Sequence, residues 1–386
     1  MDYQRLDELI EQREEEGLKL LETIVNIDSP SRDRQGVNAV GEVICQYLKQ
    51  HHIDFKVIEN KDKRYGDFII AHIPGNQPGK ILIMGHRDTV FPIGTAKKRP
   101  FKIEGHLAFG PGVSDMKSGI VTSLLAVIAL KESQMDLCDL EILMTPDEEI
   151  GSPTSRPVIE ERAKEALAVF NLEPGRPDGS VATARRGSAH LEFLIEGRSA
   201  HSGTEIEKGI SAIEELGHKI IQVQQLTDMS QGVSVNVGLV QGGENTNMVA
   251  PHASGTIHIG FETETQFQEI YEKIKAIFDK SYVEGTRSIL KGHISFLPME
   301  KHEGVKMLYE IVKENGRQLG ISVPEQHTRG AADSGFTASL DVPTICGMGP
   351  VGGKWHNEGE YMEVDTFIPR TKLLAYSIIS AFHTFR

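Results

Sequence analysis

Cysteine is scarce in this chain: among 386 residues only Cys45, Cys138 and Cys346 occur, widely scattered. That excludes a disulfide framework and a thiolate zinc cluster, and it fits buried free thiols in a reducing compartment. Positive charge is also in deficit, with 41 Lys and Arg against 55 Asp and Glu and a formal net charge of −14. Without a basic surplus to neutralise phosphates, a general nucleic-acid or anionic-membrane binder is excluded. No run reads as membrane-spanning. The N-terminus, Met1-Asp2-Tyr3-Gln4-Arg5-Leu6-Asp7-Glu8, is acidic and polar and lacks the apolar segment of a signal peptide. The expectation is a cytoplasmic chain with no internal repeat, low-complexity tract or long linker. What remains, 39% hydrophobic and 25% charged residues, is ordinary globular composition with length enough for two domains.

Residues 2–27 carry the apolar spacing of one amphipathic helix, and a second helix is expected over 36–51. Strands follow near 55–59, 67–73 and 80–84, with Pro74–Gly79 as a turn joining the last two into a hairpin. Beyond the Gly-rich loop 110–117 come a helix at 118–131, a strand at 137–144, a helix at 154–165 and a strand at 167–172. This alternation predicts an α/β sheet layered between helices. From Ala189 to about Pro298 the order becomes βαββαβ, that of an α+β ferredoxin-like unit. Helix 304–319, a Gly-rich turn at 330–333, strand 344–347 and helix 367–385 then resume the earlier pattern. A discontinuous domain, 1–187 with 298–386, is therefore expected, interrupted by a smaller one at 188–297.

Strand-like runs deliver His86-Arg87-Asp88-Thr89-Val90 and Asp147-Glu148-Glu149 at their ends, with Gly110-Pro111-Gly112-Val113-Ser114-Asp115-Met116-Lys117 between them. Alternation places His86 and Asp88 on the same side, so one imidazole nitrogen can ligate while Asp88 holds the other. Asp115 lies where glycine freedom lets a carboxylate point inward. Of Glu148 and Glu149, one can ligate and its neighbour serve as a base. Glu173 closes the next strand, and His356 is a late loop histidine. A lone strand-end carboxylate is usually a solvated cap. Five donors at the ends of consecutive strands, where open α/β sheets place their sites, point instead to a catalytic metal centre. An oxygen and nitrogen donor set without thiolate suits zinc or cobalt.

On these motifs the chain resembles the zinc peptidases and deacylases that include glutamate carboxypeptidase, aminoacylase and succinyl-diaminopimelate desuccinylase. Further shared features are Gly197-Arg198-Ser199-Ala200-His201-Ser202-Gly203, Asn247 ahead of Pro251, and Asp333 in its Gly-rich turn. Glu173, rather than Asp, leans toward the glutamate carboxypeptidase branch. The resemblance implies an α/β/α catalytic domain with an inserted lid and dimerisation domain. It also implies two Zn2+ per subunit, with Co2+ or Mn2+ as alternatives. Asp115 would bridge the metals; His86 and Glu173 would complete one site, Glu149 and His356 the other. Glu148 would be the general base and Asp88 the partner of His86, with a cis peptide bond after Asp115. Three ligand carboxylates against two divalent cations leave +4 − 3 = +1, which favours water ionisation and polarises an amide carbonyl. His201, reaching the partner subunit's site, would stabilise the oxyanion, and Asn247 would contact substrate, which implies a homodimer.

In one place the chain departs from that pattern. Where glutamate carboxypeptidases carry an arginine for a substrate carboxylate, counting from Asn247 reaches Gly260, so no guanidinium is expected there. Arg185, Arg186 and Arg329 are the candidate replacements. The expected activity is a carboxypeptidase-like exopeptidase acting on short peptides or N-acyl amino acids. The alternatives are a deacylase or dipeptidase of the same family and, more remotely, an inactive metal-binding regulator.

Overall fold

The computed structural model describes residues 3–386, so Asp2 of the expected first helix lies outside the described residues. The chain divides into two compact units. One comprises the residues up to Ala184 with Lys301–Thr328 and Ala332–Arg386; the other comprises Arg185–Glu300 with Arg329–Ala331.

The first unit is built on an eight-stranded sheet. Its order is Asp54–Ile58, Phe68–Ile73, Asp139–Thr145, Lys80–His86, Ala168–Asn171, Thr344–Cys346, Val181–Arg185 and Glu325–Thr328. Lys80–His86 runs parallel to both neighbours, with Ile81 opposite Leu140 on one side and Ala168 on the other. Successive residues Ile81 to Met84 are all buried, which is why these strands read as unbroken apolar runs rather than alternating ones.

The expected hairpin across Pro74–Gly79 does not form. Asp139–Thr145 lies between Phe68–Ile73 and Lys80–His86, antiparallel to the first and parallel to the second. A third apolar strand between them satisfies an edge of each, and the turn residues Asn76 and Gln77 donate backbone N–H groups to Leu137 O. The antiparallel pair that does form is Asp54–Ile58 with Phe68–Ile73.

The first helix is also two rather than one, Tyr3–Glu11 and Glu14–Val25. Glu11 to Glu16 contains no apolar residue, so nothing draws that stretch onto the core as a continuous face. The helix Ser118–Ser133 is apolar all round because its residues from Ser118 to Leu130 are all buried. By length and composition Val113–Ser133 is apolar enough to cross a membrane, contrary to expectation, yet its apolar window is wholly buried within the protein.

A small sheet missed by pattern reading orders Gly352–Gly353, Tyr361–Glu363, Leu107–Phe109 and Lys102–Glu104. Its strands have two or three residues, too few for alternation to register. Tyr361 pairs with Phe109, which brings the loop carrying His356 against the Gly-rich loop carrying Asp115.

The second unit is a four-stranded antiparallel sheet ordered Ser234–Gly242, His252–Phe261, Gly187–Glu196 and Arg287–Phe296, with helices Ala212–Gln224 and Glu264–Asp279. In chain order this is βαββαβ with the ferredoxin-like strand arrangement. Ala189, Leu191, Phe193 and Ile195 are buried while His190, Glu192, Leu194 and Glu196 are exposed. The period of two therefore separates a packed face from an open one. Helix Glu264–Asp279 begins with a capping box in which Thr263 and Gln266 bond reciprocally.

Candidate metal and catalytic site

Three adjacent parallel strands of the first unit deliver side chains at one sheet edge. His86 ends Lys80–His86, Glu148 and Glu149 open the turn after Asp139–Thr145, and Glu173 follows Ala168–Asn171. Register aligns these ends, with His86 opposite Thr145 and Met84 opposite Asn171. Asp115 comes from the irregular turn Val113–Lys117, which includes a cis peptide bond between Asp115 and Met116.

One carboxylate spans two imidazoles. Asp115 Oδ1 lies 3.2 Å from His86 Nε2, and Asp115 Oδ2 lies 3.4 Å from His356 Nε2. Around His86 are Glu173 at 3.7 Å and Glu148 at 3.9 Å; Glu149 is 3.1 Å from His356 Nε2. Ligand atoms of His86, Asp115 and Glu149 lie within 4.8 Å of one another, as do those of His86, Glu148 and Glu173. His356 sits at φ 59°, a left-handed conformation uncommon outside glycine and often found at functional sites.

The electrostatics describe a site rich in negative charge. Burial favours neutral Glu148; His86 opposes this, but the charges of Glu173, Asp333 and Glu149 reinforce it, and the carboxyl is held well above its usual range. Burial and the charge of Asp115 push Glu149 up to about 7 despite its contact with His356. Burial similarly raises Asp333 to about 7, against its bond from Ser152. Asp115 is buried as well, yet its contacts with His356 and His86 hold it below the usual carboxylate range. Its bonds to Asp115 and Glu149 raise His356 to about 10. Burial disfavours a charged His86, but contacts with Asp115 and Asp88 and the charge of Glu148 outweigh it and hold the imidazole well above its usual value. Protons here occupy a donor set that divalent cations suit: converging carboxylate and imidazole groups, one carboxylate shared, and no thiolate.

Asp88 does more than face His86. Its carboxylate is 3.4 Å from His86 Nδ1, and its own backbone carbonyl is closer, at 3.0 Å. The carboxylate accepts from Ser31 Oγ at 2.6 Å and from the backbone N–H groups of Glu148 and Glu149 at 3.2 and 3.1 Å. It thus ties the imidazole strand to the turn bearing both glutamates. Asp333, near the site, accepts from Ser152 Oγ and, at 3.5 Å, from Thr145 Oγ1.

Glu360 escaped the sequence reading. It is buried and accepts the backbone N–H groups of Gly112 at 3.1 Å and of Ser114 and Asp115 at 2.9 Å each. Burial and the charge of Asp115 lift it to about 8 even so. Trp355 Nε1 donates to Ser114 Oγ at 3.0 Å, so the His356 loop grips the Asp115 loop at two points. No motif or periodicity marks Glu360, because its partners are backbone groups some 245 residues earlier. Glu360→Ala leaves three buried donors without an acceptor; metal affinity is expected to fall about 10–100-fold with the circular dichroism spectrum unchanged. Calorimetric zinc titration checks this.

The remaining candidates belong to the second unit. His201 is exposed, and its Nδ1 accepts from the N–H groups of Gly203 at 3.1 Å and Thr204 at 3.2 Å. Ser202 N donates to Asn247 O at 3.0 Å, so His201 and Asn247 share a loop pair. Arg185 is buried and donates to Gly330 O at 3.0 Å and Ala331 O at 3.3 Å. Arg329 is exposed.

Position 260 carries no side chain, and Arg186, one of the candidate replacements, reaches the space beside it. A Cβ on Gly260 would lie 2.7 Å from Arg186 Nη2 and 2.8 Å from Ser234 Oγ. Gly260 pairs with both Ser234 and Ser188, and the space left by its missing side chain is filled by Arg186. That guanidinium is 5% exposed, donates to Ser234 Oγ at 2.9 Å and lies 3.6 Å from Glu262.

Residues 82–380 match the model of peptidase family M20/M25/M40. The chain belongs to this family. Carboxypeptidase G2 of Pseudomonas sp. strain RS-16 is 29% identical over 374 residues, covering 94% of this chain and 88% of the relative. Among solved structures, aminopeptidase PepT of Bacillus cereus matches with a TM-score of 0.77 at 19% identity, covering 95% of this chain and 98% of that one. Bacillus subtilis YXEP, a dinuclear metal binding peptidase from the M20 family, matches with a TM-score of 0.70 at 16% identity, covering 97% and 99%. These last two likenesses bear on the fold. This M20 chain is a metallopeptidase or amidohydrolase, with a catalytic domain and an inserted domain.

Proposed function

We propose that this M20 enzyme is a dizinc exopeptidase of carboxypeptidase type, cleaving the amide bond next to the terminal residue of a short peptide or N-acyl amino acid. The observation that carries the reading is Asp115, with one oxygen toward His86 and the other toward His356. In this reading His86 and Glu173 would hold one metal and Glu149 and His356 the other, with Asp115 available to both. Two such cations would polarise the scissile carbonyl and make a water easier to ionise. Glu148 takes a proton from the attacking water as its oxygen bonds the carbonyl carbon, then gives it to the nitrogen as the C–N bond breaks. Asp88 fixes the ring of His86 and the turn bearing Glu148.

The second unit contributes as a lid and dimerisation domain, with His201 stabilising the oxyanion at the partner's site and Asn247 contacting substrate. Support for the homodimer is apolar exposure on this unit: Ile213 at 48% and Ile221 at 62% on helix Ala212–Gln224, and Leu239 at 69% on the edge strand Ser234–Gly242. Arg186 is the favoured carboxylate clamp, since it fills the space above Gly260. Arg185 is committed to backbone carbonyls, and Arg329 serves as an accessory charge. A cavity of about 650 Å³ in the first unit, lined by Val90, Phe91, Lys98, Arg99 and His356 among others, offers room for the rest of the substrate beside the site.

Hydrolysis of a library of dipeptides and N-acyl amino acids by zinc-loaded enzyme tests this. C-terminal release from peptides is expected, while a profile confined to N-acyl substrates or dipeptides assigns the deacylase or dipeptidase alternative. Complete inertness of metal-loaded protein would leave a binding protein. Arg186→Ala is expected to raise KM at least about ten-fold for substrates with a free carboxylate, and to change little for their amides. Equal effects on both would end the clamp assignment.

A further inference from the structure

The open face of the second unit's sheet carries a polar row that the hydrolytic reading does not use. Asn236, His258, His190 and His293 stand directly opposite one another across all four strands. Paired residues of an antiparallel sheet share a face. Ala189, Leu191 and Phe193 point to the packed face, so the row lies on the other, and all three histidines are exposed.

Imidazoles on neighbouring strands can chelate one ion. With Zn–N distances of about 2.0–2.1 Å, two nitrogens on a tetrahedral ion stand about 3.4 Å apart. The rings of His190 and His258 are 5.0 Å apart between centroids and inclined by 60°, which places two imidazoles side by side on adjacent strands. Each ring is also oriented by a hydroxyl. Ser188 Oγ is 3.1 Å from His258 Nε2, and Ser295 Oγ is 3.0 Å from His190 Nδ1. With each of these ring nitrogens donating its N–H to the serine oxygen, Nδ1 of His258 and Nε2 of His190 carry the lone pairs, the arrangement by which a hydrogen bond at one nitrogen prepares the other for a metal. Partial desolvation against the sheet and a neighbouring imidazole hold both rings below the usual histidine value.

The surroundings select the kind of ion. Within the row there is no carboxylate and no thiolate. Glu192, in the next row, stands opposite Lys291, and Arg186 lies close enough to His258 to influence its charge. A nitrogen-only set disfavours magnesium and calcium, which take oxygen ligands, and suits the borderline first-row ions. We propose that His190 and His258, with His293 beside them, form a separate transition-metal site on this face, taking one divalent ion of the copper, nickel or zinc kind.

The test uses the full-length enzyme with its hydrolytic site loaded with zinc, titrated with Cu2+ and followed by electron paramagnetic resonance. The expected result is one copper equivalent with nitrogen splittings, bound without zinc release. His190→Ala and His258→Ala should each weaken it at least about ten-fold, and Ser295→Ala by a similar factor, while copper-free hydrolysis is unchanged. The proposal is overturned if wild type takes up no such equivalent. It is equally overturned if uptake releases zinc, or if the His190→Ala, His258→Ala double variant binds copper as wild type does. None of these outcomes depends on which peptide the enzyme cleaves.

Discussion

Glu148→Gln is expected to lower kcat for amide hydrolysis by about 10²–10⁴-fold while the protein folds and takes up metal as before. The substitution keeps shape and volume, and the backbone N–H of residue 148 still donates to Asp88 at 3.2 Å. What it removes is the group that carries the proton. Distance alone does not separate base from ligand: Glu148 Oε2 is 3.9 Å from His86 Nε2 and Glu173 Oε1 is 3.7 Å. The environment does favour a proton carrier. Burial and three neighbouring carboxylates give Glu148 an unusually high proton affinity, and cations bound beside it would bring that affinity down toward neutrality, where proton transfer in both directions is efficient. Steady-state kinetics with metal analysis of the same preparation decides the matter. Lost metal would make Glu148 a ligand, and full activity with full metal would remove it from the chemistry.

The sequence is most informative where chemistry and element ends coincide. His86, Glu148 and Glu173 were legible because each follows a continuous apolar run, and such runs are buried parallel strands whose ends lie side by side. Asp115 was legible from its glycine-rich surroundings. Pairing order was not. Nothing local in Phe68–Ile73 or Lys80–His86 says that Asp139–Thr145 will lie between them, because a strand buried on both faces carries no register signal. The break at Gln12 and Arg13 was hidden by treating a polar gap as part of a helix.

Long-range contacts made by backbone atoms were the least legible. Glu360 holds the Asp115 loop through three N–H groups, and those leave no trace in side-chain chemistry. The sequence offers Arg186 as a candidate carboxylate clamp, but its position over Gly260 depends on strand pairing that no local pattern shows. The missing side chain at Gly260 leaves the space in which Arg186, just before the strand Gly187–Glu196, is seated.

Removing the metals is expected to abolish hydrolysis and also to make stability fall as pH rises, a slope that zinc should flatten. In the metal-free fold Glu149 and Asp333 titrate near 7, Glu360 near 8, and Glu148 well above its usual range. Each carboxyl keeps a proton in the folded state that the unfolded chain releases above about pH 4.5. The folded state therefore binds more protons between that value and about 8, and stability declines across the window. His356, raised to about 10, acts in the same direction: its contribution is complete below about 6.5 and is lost toward 10. Asp115, held low, contributes stability above about pH 4 and loses it only in stronger acid, outside this window. Bound cations replace those protons as the neutralising charge, so the loaded protein has little to lose as pH rises. In chelator, Tm is expected to drop by about 5 °C or more from pH 5.5 to 8, and with zinc the two values should lie close together. Thermal unfolding by circular dichroism at both pH values tests this. A flat profile in chelator, or an equal slope with zinc, would mean that the clustered carboxylates are not where the metals bind.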